Sequence, residues 1–189
     1  MPNKPIAKIG TELLQTGLLQ FGHFVVDGDV HTWKLNTALL PSYPDVLWHL
    51  GQMGQSALSG LEVDRLLSLK GDAQHVAQAL SLSSRVPLVY HGRETGNPVL
   101  DLVGAYDVGH PTCLIVNDAA ASLGDTNLLS EAKRVGLDVI AIIALYSMGL
   151  PPTSDKPVHI LLDIPQIVQS LAASGQIPTK LQDLVLTDF

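Results

Sequence analysis

The sequence predicts an α/β domain built on a parallel sheet with helices on both faces. Two observations carry that expectation. Runs such as Thr112–Val116 and Val139–Leu145 are apolar throughout instead of alternating, as strands covered on both sides are. Such runs also alternate along the chain with segments of helical period, the pattern of strand–helix–strand units.

In chain order, Ile6–Leu19 places Ile6, Ile9, Leu13 and Leu14 near one helical face, which predicts an amphipathic helix ending at Gly17. Phe21–Val26 reads as a strand running into a turn at Asp27-Gly28-Asp29. Trp33–Leu40 favours neither helix nor strand and ends in Pro41-Ser42-Tyr43-Pro44. Pro44 has no N–H to lose in a first helical turn, and Val46, Leu47, Leu50, Met53, Ala57 and Leu58 continue with a helical period. Gly51-Gln52-Met53-Gly54 falls inside that helix and is not read as a phosphate loop.

Beyond Gly60 the alternation begins. Arg65–Leu69 is a strand, and Ala73–Leu82 a helix with Val76, Ala79 and Leu80 inside. Val86–Tyr90 and Thr112–Val116 are strands. Asp125 caps a helix that runs through Val135 and stops at Gly136. Asp138–Tyr146 and His159–Leu162 are strands, and Asp163 with Pro165 opens a helix ending at Gly175. No repeat or long linker divides the 189 residues. They read as a single domain, with an N-terminal part (1–43), a core (44–150) and a C-terminal strand and helix (151–189).

A composition of 46% hydrophobic and 15% charged residues excludes a disordered chain. With 11 Lys and Arg against 18 Asp and Glu, the chain lacks the clustered cations that nucleic acid or an acidic membrane surface requires. Val139–Leu145 is the longest apolar run, far short of the roughly 20 residues of a membrane helix. Met1-Pro2-Asn3-Lys4 has no apolar signal core, so a cytoplasmic location is expected. One cysteine excludes an internal disulfide and every multi-Cys zinc pattern; Cys113 is expected as a small buried hydrophobe. The seven histidines form no HxH or HExxH spacing, so no resident metal is expected. No Gly-x-Ser-x-Gly elbow is present.

In open parallel sheets, ligands bind beyond the carboxyl ends of strands, where loops lead into helix N-termini. The loop of interest is therefore Asn117-Asp118-Ala119-Ala120-Ala121-Ser122-Leu123-Gly124-Asp125, between the strand at 112–116 and the helix that follows. Its small residues suit a backbone that wraps a phosphate, and its acidic start could bond sugar hydroxyls. An ordinary strand-to-helix loop capped by Asp125 fits the same residues.

The run Thr112–Leu145 resembles the phosphoribosyl-pyrophosphate motif region of the type I phosphoribosyltransferases: an apolar strand, two acids, a small hydroxyl- and glycine-rich loop, and a helix. Three further stretches resemble the orotate branch of that family, in family order. Leu18–Phe24 through Lys34-Leu35-Asn36 is similar to its N-terminal hood. Asp64-Arg65-Leu66 through Ala79-Leu80-Ser81 is similar to its first core strand, pyrophosphate loop and helix. Val86–Tyr90 with Arg93-Glu94 is similar to the strand leading into its mobile loop. Together these cover most of residues 12–150. The resemblance implies a type I fold with a small hood, a homodimer, and Mg²⁺ if phosphoribosyl pyrophosphate is bound. It places ligand-binding residues at 117–125 and at Lys70, Gly71, Arg93 and Trp33. Arg93 and Lys34 remain as candidates for a catalytic cation. Trp33 could stack on a flat ligand, or belong to the core or to an interface between subunits.

The departures from the family pattern share one direction. Val26-Asp27-Gly28 stands where the family's hood carries a lysine before its turn. Thr95–Val103, in the place of the mobile loop, has no basic residue and contains Asp101. No Lys or Arg lies between Arg93 and Lys133. The paired acids have become Asn117-Asp118, and the hydroxyl–glycine loop has become Ala121-Ser122-Leu123-Gly124, followed by Asp125. Leu69-Lys70-Gly71-Asp72-Ala73 keeps one cation but adds an acid. Charge grows on the departing pyrophosphate in the transfer reaction, and each group aimed at it contributes about 3 kcal/mol. The expectation is a phosphoribosyltransferase-fold protein with weak or lost transfer that retains nucleotide or nucleoside binding. One alternative is an active orotate-type enzyme making a nucleoside monophosphate and pyrophosphate from phosphoribosyl pyrophosphate and a pyrimidine base. A second is a non-catalytic interaction protein with a vestigial pocket.

Overall fold

A computed structural model describes residues 4–26, 29–69, 71–92, 101–120, 127–150, 152 and 154–188. Its centre is a six-stranded sheet made of β3 (Arg65–Ser68), β4 (Leu88–His91), β5 (Leu102–Val103), β6 (Pro111–Asp118), β7 (Asp138–Ser147) and β8 (Val158–Asp163). The spatial order is β5-β4-β3-β6-β7-β8. Every neighbouring pair is parallel except β4 and β5.

Side-chain alternation explains why β6 and β7 are apolar without a break. Cys113 and Ile115 of β6, with Ala141, Ile143 and Leu145 of β7, join the core on one face. Leu114 and Val116, with Ile142 and Ala144, join the core on the other. Successive residues of a strand point to opposite faces, so a sheet with two covered faces needs an apolar residue at nearly every position.

The first face carries most of the helices. α1 (Lys4–Gln15), α2 (Pro44–Ala57), α3 (Ala73–Ser84), α5 (Ile164–Ala173) and α6 (Thr179–Leu186) all place buried residues in its core. On the second face, α4 (Asn127–Arg134) contributes Ala132. Pro44 occupies the first turn of α2. Asp163 caps α5 by accepting the Gln166 backbone N–H at 3.0 Å, as its position before Pro165 predicts. Gly51 and Gly54 let α2 lie directly on α3: a Cβ at Gly51 would stand 3.0 Å from the Ala79 carbonyl. These glycines serve packing.

A separate antiparallel hairpin, β1 (Leu19–Val26) and β2 (Asp29–Leu35), forms the N-terminal hood. The ambiguous stretch Trp33–Leu40 therefore divides: it ends β2 and then enters a 3₁₀ turn at Thr37–Ser42. Its mixed pattern arises because Trp33 points inward, only 7% exposed, while Lys34 beside it faces out. The C-terminal part holds a second helix, α6, beyond the strand and helix read from the sequence. The i, i+4 pair Leu181 and Val185 was its signal. β5 has two residues, too few for any periodicity to register.

Candidate functional site

The parallel strands bring their carboxyl ends to one edge, where β3 delivers the loop to α3, and β6 and β7 deliver Asn117, Asp118 and Tyr146. Asp118 and Tyr146 are register partners on adjacent strands. Asp118 is 7% exposed. Ala119 is fully buried in the core of the second face, and Ala120 is half-buried. The remaining residues of the candidate loop, Ala121, Ser122, Leu123, Gly124 and Asp125, lie outside the described residues, as do Lys70, Arg93 and Asp27.

Asn117 reaches across to the β3–α3 loop. Its Oδ1 accepts the Ala73 backbone N–H at 2.5 Å, so the carboxamide caps α3. Gly71 has φ +97°, and a Cβ there would collide with Asn117 Nδ2. Glycine is needed on both counts. Asp72 is the N-cap of α3 and bonds nothing in its own helix through its side chain; instead Asp72 Oδ2 accepts the Thr37 hydroxyl at 2.5 Å. The first turn of α3 is thus tied to β6 on one side and to the segment after the hood on the other.

Tyr146 reports the charge of this edge. Burial pushes its phenol above the ordinary value of 10.0, and the carboxylates of Asp118 and then Asp72 push it further. Five of the described cations lie elsewhere. Arg65 begins β3, Arg85 follows α3, Lys133 and Arg134 end α4, and Lys156 precedes β8. Strand direction sets all of these at the opposite edge. Arg65 there donates to the carbonyls of Ala105 and Asp64 at 2.7 and 2.6 Å.

The structure brings Asn117, Asp118 and Gly71 together and leaves two other candidates apart from them. Trp33 is packed into the core under the hood, so it has no open face for a flat ligand. Lys34 is exposed on β2, opposite Gln20. Asp101 is only 5% exposed, and its backbone carbonyl accepts the Gly92 N–H at 2.9 Å; it is an anchored residue. Two residues of the edge escaped the sequence reading. Tyr146 carried a signal, a polar-tipped aromatic at the carboxyl end of a buried strand. Thr37 carried none, because its link to Asp72 spans segments far apart in the chain. Among the described residues no group of three His, Cys, Asp or Glu side chains is placed to hold a metal, and no helix is long and apolar enough to cross a membrane.

A mostly parallel sheet flanked by helices, with a small hairpin hood, defines a type I phosphoribosyltransferase fold. No protein-family model matches the chain. It is 30% identical over 139 residues to the orotate phosphoribosyltransferase of Archaeoglobus fulgidus, which covers 70% of this chain and 76% of that protein. The chain belongs to the orotate phosphoribosyltransferase family. Its fold matches Leishmania donovani UMP synthase with a TM-score of 0.82 at 19% identity, over 97% of this chain and 42% of the other. It also matches Mycobacterium tuberculosis orotate phosphoribosyltransferase in complex with 5-phospho-α-D-ribosyl 1-diphosphate, with a TM-score of 0.68 at 11% identity, over 86% of this chain and 98% of the other.

Proposed function

We propose that this member of the orotate phosphoribosyltransferase family binds a nucleotide or nucleoside at the carboxyl edge of its sheet, with weak or lost phosphoribosyl transfer. One observation carries the reading: Asp72, Asp118 and the neutral Asn117 are among the described side chains at that edge, whereas Arg65, Arg85, Lys133, Arg134 and Lys156 stand at the far edge. Transfer from a pyrophosphate donor needs cations aimed at the leaving group. Carboxylates at that place oppose the charge that develops there.

The experiment is a titration of the purified protein with phosphoribosyl pyrophosphate and Mg²⁺, followed by uridine and uridine monophosphate. The expected result is binding of the nucleoside or nucleotide, with turnover of orotate slow or absent. Rapid formation of pyrophosphate from orotate and the donor would overturn this reading in favour of an active transferase, with Mg²⁺ brought in by the donor. Failure of every ligand to bind would favour an interaction protein with a vestigial pocket.

A homodimer in the cytoplasm belongs to the same reading. Val25 and Val30 face each other across the hood hairpin and are 73% and 60% exposed. A two-stranded hairpin is marginal unless something covers it, and a second subunit laid on this pair would do so. Sedimentation of wild type against Val30→Asp tests it, with the variant expected to shift to monomer.

A further inference from the structure

We infer that His49 is a protonation switch that clasps α1 to α2, holding Lys8 while the imidazole is neutral and releasing it when the ring takes a proton. Every group in this switch lies on α1 or α2, and none belongs to the ligand-binding residues proposed above.

The imidazole is engaged by α1 at both ring nitrogens. His49 Nδ1 stands 2.7 Å from Glu12 Oε2, and Nε2 stands 3.1 Å from Lys8 Nζ. A lysine ammonium has donors and no acceptor, so Nε2 accepts. The proton of the neutral ring therefore sits on Nδ1 and is donated to Glu12, because the bond at one nitrogen sets the tautomer at the other. Only the neutral ring satisfies both partners.

Protonation breaks one contact and strengthens the other. Nε2 then carries a hydrogen and can no longer accept, and two cations would face each other across that short distance. Glu12 keeps its bond, now to a charged donor. Exposure decides which cation leaves: the Lys8 side chain is 65% exposed, whereas those of His49 and Glu12 are 34% and 24% exposed. Lys8 also lies 3.8 Å from Glu12 Oε1, one turn along α1, a longer contact than the one His49 makes. Among the described residues, Glu12 and Lys8 are the charged groups that face His49 from α1, and the exposed Asp45 stands one turn earlier on its own helix.

The release is local. A cavity of about 200 Å³ lies between the two helices, with Ile9 and Met53 lining it beside the three polar groups. Ile9 and Leu13 are buried in the core, so α1 stays seated when Lys8 swings into water. What loosens is the turn of α1 that Lys8 ties across the cavity to α2.

Nuclear magnetic resonance of the ¹⁵N-labelled full chain tests this between about pH 8 and pH 5, the span in which imidazoles titrate. At the upper limit the ring nitrogens of His49 are expected to show the Nδ1–H tautomer. As pH falls, the Lys8 ζ-nitrogen signal is expected to move with the His49 ring at the same midpoint, while that of the exposed Lys34 does not. Amide exchange at Lys8 and Ile9, corrected for its intrinsic pH dependence, is expected to rise about threefold, the scale of an exposed ion pair. His49→Gln keeps a donor for Glu12 and an acceptor for Lys8 at every pH, and is expected to abolish both changes.

An Nε2–H tautomer at the upper pH overturns the inference. So does a Lys8 signal that does not follow His49, or an exchange rise that is absent from wild type or persists in His49→Gln. If His49→Gln does not fold, the tautomer and the Lys8 signal of wild type decide alone.

Discussion

Asp188 accepts two hydrogen bonds from Thr32, one from its backbone N–H at 2.7 Å and one from its hydroxyl at 3.0 Å. His31 Nδ1 stands 3.7 Å from the other oxygen of the same carboxylate. The segment after α6 thereby fastens β2 of the hood, and Leu19 of β1 and Trp33 of β2 hold the hairpin to the core.

Removing that fastening should loosen the hood and spare the sheet. Hydrogen bonds to a charged acceptor contribute about 1.5–3 kcal/mol each, and a part-exposed pair less. Asp188→Ala is expected to speed amide exchange across β1 and β2 while exchange in β6 and β7 stays slow. Uniform acceleration through the whole chain would refute a local role.

The α2–α3 contact gives a second expectation. Alanine at an exposed helical glycine normally stabilises by about 1 kcal/mol. At Gly51 the new Cβ would press on the Ala79 backbone at 3.0 Å, and overpacking costs about 1–3 kcal/mol. Gly51→Ala should therefore lower the thermal midpoint, which a melting curve reads. A raised midpoint would show that the two helices can move apart.

Tyr146 should titrate above an ordinary tyrosine, its phenol raised from 10.0 by burial and by Asp118 and Asp72. The folded state then holds its proton at pH values where the unfolded state has lost it, so this contribution to stability is intact below pH 10.0 and declines as pH rises through the folded value. Asp118→Asn should bring the phenol back down, measured as phenolate absorbance against Tyr146→Phe as the blank. No movement in Asp118→Asn would mean that burial and Asp72 set the shift without Asp118.

Cys113 should be chemically silent in the native protein. It is fully buried, and burial pushes its thiol up to about 12. The thiolate is the reactive form. A thiol reagent is expected to label it only at the rate of unfolding, and fast labelling of native protein would place the residue at an accessible surface.

The sheet was legible in the sequence because burial on two faces writes itself locally. Cys113 to Val116 and Val139 to Leu145 must be apolar wherever the rest of the chain lies, and the caps at Pro44 and Asp163 act within a turn of their helices. The hood was half legible: Phe21–Val26 declares a strand, but the inward Trp33 and outward Lys34 make sense only against a partner strand and a core beneath. β5 and Thr37 left no readable trace, since a two-residue strand has no period and a hydroxyl gains meaning only from what it meets.

The candidate site divides along the same line. The position of the 117–125 loop after a buried strand, the acids that replace expected cations, and the glycine at 71 follow from residue order and composition, because they depend on neighbours in the chain. That Asn117 caps α3, that Asp72 is held by Thr37, and that Asp118 and Asp72 converge on Tyr146 were decided by tertiary structure alone. Those relations join β6, β7, the β3–α3 loop and the segment after the hood, and no local pattern encodes which side chains the parallel register will bring within a hydrogen bond of one another.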